Sequence, residues 1–126
     1  VINLNIIIQH SSMIPIYEQI IEQFKGQIVK RSLRENDPLP SVRSLAKELN
    51  VSALTVKKAY DALEESGLIV TVHGKGSFVA PFNLELEKEA RQKEIESELE
   101  STIKKAKHYG ISNGDLQELF NLLLEG

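Results

Sequence analysis

"SVRSLAKELNVSALTVKKAYDALEESGLIVTVHGKG", residues Ser41 to Gly76, is the stretch that decides the fold. Leu45, Ala46 and Leu49 recur at the spacing of one helix face. Ser41, just ahead of them, can accept a backbone hydrogen bond as an N-cap. Asn50 tolerates the left-handed conformation in which helices often stop, and Ser52 can cap a second helix two residues later. That second helix, Ala53 to about Glu65, buries Val56, Ala59 or Tyr60, and Leu63, and Gly67 stops it. Two short helices joined by so short a turn make a helix-turn-helix arrangement. Leu68 to Val72 and Ser77 to Ala80 then read as strands joined through "HGKG", whose glycines permit a tight tip around Lys75.

A Gly-Lys-Gly-Ser tip also invites comparison with phosphate-binding loops. In those loops the lysine and serine open a helix. Here "GSFVAP" follows, a strand-like run that Pro81 ends, so the context is wrong for a nucleotide. His10, His73 and His108 lack metal-ligand spacing, there is no cysteine, and no serine or carboxylate pair sits in a catalytic signature. Neither an enzyme, a metal site nor a cofactor is expected.

Working outward, "INLNIII" near the start reads as a short β-branched strand. Pro15 suits the beginning of a helix, and Tyr17, Ile20, Ile21, Phe24 and Ile28 give that helix an apolar face through about Arg31. "LRENDPLP" is a connector. Beyond Leu84 the composition changes. Acids crowd the start of a long helix and Lys104, Lys105 and Lys107 its end, complementing the helix dipole. Glu87–Arg91, Glu89–Lys93 and Glu100–Lys104 are spaced as i,i+4 pairs. Gly110 stops this helix, and Ser112 with Asp115 resembles a capping box for the next. Ile95, Leu99, Ile103 and Ala106 form a narrow apolar stripe, and Leu116, Leu119, Phe120, Leu123 and Leu124 a broader one.

The expected architecture is α+β: a winged helix-turn-helix domain over residues 1–81, followed by a small two-helix all-α dimerisation region over 82–126. A segment of that size cannot bury both stripes by itself, so Ile95, Leu99, Ile103, Leu116, Leu119, Phe120, Leu123 and Leu124 are expected to meet a second copy. It is also small for a drug-sized pocket, so weak or absent effector binding is expected. No apolar run reaches membrane-spanning length and no secretory signal precedes the chain, which together with the missing cysteines suits a cytoplasmic protein.

The 126 residues carry a formal net charge of −3, but unevenly. Residues 1–80 hold nine lysines and arginines against eight acids, residues 81–126 six against ten. Between Ser41 and Tyr60, Arg43, Lys47, Lys57 and Lys58 face Glu48 alone. Salt screens charges beyond about 8 Å, so a local basic surface can hold phosphates whatever the tail carries. Burying Val56 and Leu63 leaves Ala53, Leu54, Lys57, Lys58 and Asp61 on the outer face of the second helix, where a major groove would admit them. The rival class is a protein-interaction module that uses the same helix. Converging lysines favour double-stranded DNA, while the near-neutral domain charge keeps the rival open.

"PIYEQI" at 15–20, "LPSVRSLAKELNVS" at 39–52, "TVKKAYDALEESGLI" at 55–69 and "HGKGSFV" at 73–79, in that order, resemble the winged-helix domain of GntR-family bacterial transcription regulators. The short C-terminal part is similar to the YtrA-type branch of that family. The resemblance implies a homodimeric regulator, a repressor acting on an inverted-repeat operator. It implies DNA contacts at Arg43, at Thr55 and Lys57, and at His73 and Gly74. Taken with the outer-face reading, the expected interface draws Ser41 and Arg43 from the start of the first helix. Ser52, Ala53, Leu54, Thr55, Lys57 and Lys58 come from the second helix, and His73, Gly74, Lys75 and Gly76 from the hairpin tip. Ala53 and Leu54 depart from the family's polar residues there, so thymine methyl groups replace guanine edges as their natural targets.

Overall fold

Pro15 precedes the first helix, α1 (Ile16–Val29), and its carbonyl accepts from the amides of Glu18 and Gln19. The computed structural model describes residues 4–126, and the chain divides into two units, Val1–Leu84 and Glu85–Gly126. In the first unit α1 is followed by α2 (Val42–Leu49), α3 (Ala53–Glu65) and an antiparallel pair, β1 (Ile69–Val72) and β2 (Gly76–Val79). Ile20, Phe24 and Ile28, four residues apart, form the fully buried row of α1. They pack with Leu45 and Ala46 of α2 and with Val56, Ala59, Tyr60 and Leu63 of α3. Both Ala59 and Tyr60 are buried, so the inner face of α3 is wide. The Phe24 and Tyr60 rings meet edge to face, with centroids 5.9 Å apart.

The helix ends follow local chemistry. Ser41 and Ser52 cap α2 and α3 by accepting from the amides of Ser44 and Thr55 at 3.1 Å. Asn50 ends α2 in the left-handed region at φ 57°. The strands sit one residue away from the expected limits, since Leu68 leads into β1 and Gly76 is already paired with Val72.

Two features were not expected from the sequence. The connector contributes a third ribbon to the sheet: the Asn36 amide donates to Val79, the Val79 amide to Asp37, and the Leu39 amide to Ser77, at 2.8–2.9 Å. Pro38 fits here because its missing N–H falls where this ladder uses none. β2 is thereby paired on both sides, giving the two-stranded ribbon the further support it needs for stability.

The second concerns the amino-terminal segment, where a strand was expected. The first three residues lie outside the described part; residues 4–9 are extended but form no strand. Their backbone partners are glutamine side chains of α1. Gln23 accepts from the Ile7 amide at 2.8 Å and donates to its carbonyl at 2.7 Å. Gln19 makes the same pair with Gln9, and Gln27 donates to the Asn5 carbonyl. Glutamines four apart on a helix advance about 6 Å, and alternate residues of an extended chain advance about 6.6 Å, so the two rows stay in step. Leu4 and Ile6, on the other face, turn into the core.

The second unit comprises α4 (Leu84–His108, begun in the first) and α5 (Asn113–Glu125). Gly110 at φ 75° makes the turn between them, and Ser112 caps α5 by accepting from the Asp115 amide. Glu89–Lys93 and Glu100–Lys104 pair as expected. Arg91 instead pairs with Glu94 at 3.3 Å, taking its i+3 neighbour rather than Glu87. Among the described residues of this unit, only Ala106 is buried. No described helix is long and apolar enough to cross a membrane.

Candidate nucleic-acid interface

The site is built on α3. Its inner row fixes which residues face outward: Leu54, Lys57, Lys58 and Asp61 form a continuous exposed stripe at i, i+3, i+4 and i+7. Leu54 is 79% exposed, so its side chain is free to meet a partner on that face. Ala53 lies beside it, also exposed, on the first turn. There the unpaired backbone amides and the helix dipole favour negative charge. The far end of the same helix is acidic, with Asp61, Glu64 and Glu65 exposed. A phosphate backbone can therefore approach the amino-terminal half of α3 and is repelled from the other half.

Around α3 the expected residues divide into three groups. Ser41 and Arg43, at the start of α2, are exposed. Ser52 is exposed as the α3 cap, while Thr55 is partly buried, its hydroxyl 2.7 Å from that of Ser52. At the hairpin tip His73, Gly74, Lys75 and Gly76 are all exposed. The Lys75 amide returns to the Val72 carbonyl at 2.9 Å, closing the turn over Gly74 at φ 76°. Gly76 follows at φ 104°, so both glycines occupy conformations that other residues rarely adopt. Arg43 and Lys75 carry no ion pair among the described residues, so their charges stay available.

The two lysines of α3 are engaged within the protein. Lys57 Nζ lies 2.8 Å from Asp61 Oδ2, and that hydrogen bond and charge hold its pKa above the ordinary value. Lys58 Nζ lies 3.9 Å from the centroid of the Tyr17 ring. Tyr17 was expected on the core face of α1. It packs against the core there as a partly buried residue, and it also lines an open groove of about 430 Å³ with Leu54, Lys57, Lys58, Asp61, Ala62 and Glu65. Its place two residues after Pro15, on the edge of the apolar face, is the one sequence signal that it borders α3.

Tyr60 has a supporting part. Its hydroxyl donates to the Pro40 carbonyl at 2.8 Å, tying the lead into α2 to the body of α3. Burial pushes its phenol well above the ordinary tyrosine range. Among the described residues, no group of three or more acids and histidines is disposed to hold a metal.

Comparison with known proteins bears on this arrangement. The family described as bacterial regulatory proteins, gntR family, matches residues 16–79. The HTH-type transcriptional repressor YtrA of Bacillus subtilis is 36% identical over 107 residues, which span 85% of this chain and 82% of that protein. A transcriptional regulator from Oenococcus oeni has a similar structure, with a TM-score of 0.71 at 29% identity over 93% of this chain and 97% of that one. The DNA-binding domain of AraR, solved in complex with operator ORX1, aligns with a TM-score of 0.54 at 29% identity. That alignment covers 60% of this chain and 95% of the AraR domain.

Proposed function

The chain belongs to the gntR family of bacterial regulatory proteins, and we propose that it is a cytoplasmic, sequence-specific repressor that binds an inverted-repeat operator as a homodimer. DNA-binding transcriptional regulation is the family's activity; the fold here is its winged helix, and its members are not enzymes. Repression, symmetry and the contacts of individual residues are our proposal for this chain.

The observation that carries it is the pairing of an open α3 stripe with a second unit that has almost no interior. Leu123 and Leu124 are 69% and 70% exposed, and Ile95, Leu99, Ile103, Leu119 and Phe120 are exposed as well, with Leu116 partly buried. Two helices that bury only Ala106 cannot offset the entropy of ordering 42 residues. A second copy supplies the missing apolar surface, and a twofold axis then sets two α3 helices about 34 Å apart, one turn of DNA. Each α3 enters a major groove by its amino-terminal turn, Arg43 and the α2 start hold backbone, and Lys75 follows the flanking groove. Occlusion of a promoter would follow from occupancy alone. Weak or absent effector binding is part of the proposal, because a pocket of several hundred Å³ is hard to build in a 42-residue unit.

Two measurements test this. Sedimentation equilibrium should give a dimer that Leu119→Glu with Leu123→Glu converts to monomer; a monomeric native protein would remove the symmetry argument. Fluorescence anisotropy with the duplex upstream of the protein's own gene, against a shuffled duplex, should show a preference of about 10³-fold or more and a steep negative salt slope. No binding to either duplex at low salt would instead favour a protein partner.

A further inference from the structure

We infer that Asp61 and Tyr17 are specificity-determining residues, which act by holding Lys57 and Lys58 back from DNA phosphates. The inference rests on α3 being the DNA-facing helix. Of the cations around that surface, Arg43 and Lys75 are unpaired among the described residues, whereas both lysines on the outer stripe of α3 are occupied. Lys57 is bonded to Asp61, one turn further along the same stripe. Lys58 is laid over the Tyr17 ring from the neighbouring helix. Lys57 and Asp61 are each 61% exposed, so their bond is open to exchange rather than buried.

The consequence is a division between two kinds of contact. On arbitrary DNA, a phosphate oxygen must compete with a carboxylate already 2.8 Å from Lys57, and Asp61 itself repels the phosphate. Lys58 must leave an aromatic face that attracts its charge. Non-specific binding therefore falls to the free cations at the α2 start and the hairpin tip. Where the groove presents guanine O6 and N7, Lys57 has two further N–H donors for those acceptors and reaches them while keeping Asp61, so the pair is not broken there. Exposed ion pairs and exposed cation–π contacts each change an equilibrium by about two- to fivefold. Those factors are lost wherever a lysine must leave its partner for a phosphate, and are not lost where Lys57 keeps Asp61.

The test uses the full chain and two duplexes of two helical turns, one of mixed sequence and one enriched by selection with the native protein. Asp61→Asn should tighten binding to the mixed duplex about fivefold and steepen its salt slope by about one unit, as one more lysine reaches phosphate. The preferred duplex should gain less, so the ratio between the two falls. Placing Asp61→Asn in a Lys57→Gln background should abolish the steeper slope. Tyr17→Leu should act in the same direction through Lys58, and Tyr17→Phe, which keeps the ring, should not. Thermal melts of each variant identify any that fail to fold, and the Tyr17→Phe and Asp61→Asn proteins change least in shape. An unchanged slope and ratio in folded Asp61→Asn would overturn the inference. So would weaker binding to the preferred duplex alone, since Asp61 would then read a base. A native protein that binds neither duplex would overturn instead the assignment of α3 to DNA.

Discussion

Replacing Tyr60 by phenylalanine isolates one contact that shapes the interface from beneath. The ring stays, so its edge-to-face packing on Phe24 is kept, while the 2.8 Å bond to the Pro40 carbonyl is lost. A net hydrogen bond contributes about 0.5–1.5 kcal/mol, and a carbonyl left partly buried without a partner costs somewhat more, giving a loss of about 1.5 kcal/mol. For a domain of this size each kcal/mol moves the melting temperature by about 4–8 °C, so a fall of roughly 6–12 °C is expected by circular dichroism. The same hydroxyl adds a pH signature. Burial raises the folded phenol above its unfolded value of about 10, so the stabilisation is complete below that pH. Above about pH 10 the unfolded chain releases the proton first, and stability falls by up to about 1.4 kcal/mol per pH unit until the folded phenol ionises. The advantage of the native protein over Tyr60→Phe should therefore hold from pH 6 to about 9 and shrink by pH 11. A variant melting within about 2 °C of the native protein at neutral pH would show that the Pro40 contact holds nothing.

Three further outcomes can be stated briefly. Lys75→Ala should weaken binding to all duplexes alike and reduce the salt slope by about one unit; relaxed sequence preference at an unchanged slope would mean that the tip reads bases. Leu54→Gln, at a position 79% exposed, should leave the melting temperature within the ±0.5 kcal/mol of ordinary surface changes and alter the sequences recovered by selection. An identical selected set would remove Leu54 from the reading residues. Gln23→Leu removes both bonds to the Ile7 backbone and should cost about 1–2 kcal/mol, with faster hydrogen exchange at the Ile7 amide. Unchanged exchange there would mean that burial of Leu4 and Ile6 alone secures the segment.

The elements legible in the sequence are those whose cause is local. Ser41 and Ser52 announce helix starts by a side-chain oxygen three residues from the amide it caps, and Asn50 announces a stop by its tolerance of positive φ. The amino-terminal segment misled for the opposite reason. Its β-branched run has the composition of a strand, but which partner satisfies its backbone is decided sixteen residues away by Gln23 and its neighbours. The ribbon at residues 36–39 was hidden by two prolines, which suggest a turn until the pairing shows that the missing donor is not needed. In the interface, periodicity placed Leu54, Lys57 and Lys58 outward because Val56 and Leu63 fix the buried side of α3 whether Ala59 or Tyr60 joins them. It placed Tyr17 on the apolar face of α1, where it packs, but not its second contact, since only the packing of α3 beside α1 brings Lys58 over its ring.

The charge distribution on α3 also constrains how the helix can be used. Its outer stripe begins apolar at Leu54, turns basic at Lys57 and Lys58, and ends acidic at Asp61, with Glu64 and Glu65 beyond. A helix lying flat along a groove would bring those carboxylates against phosphates on both sides. A helix entering by its first turn keeps them at the groove mouth, where screening over about 8 Å reduces the repulsion. On the proposed reading the same gradient lets a chain of net charge −3 bind DNA: the acids on α3 would set the angle of approach, and the unpaired cations Arg43 and Lys75 would hold the backbone.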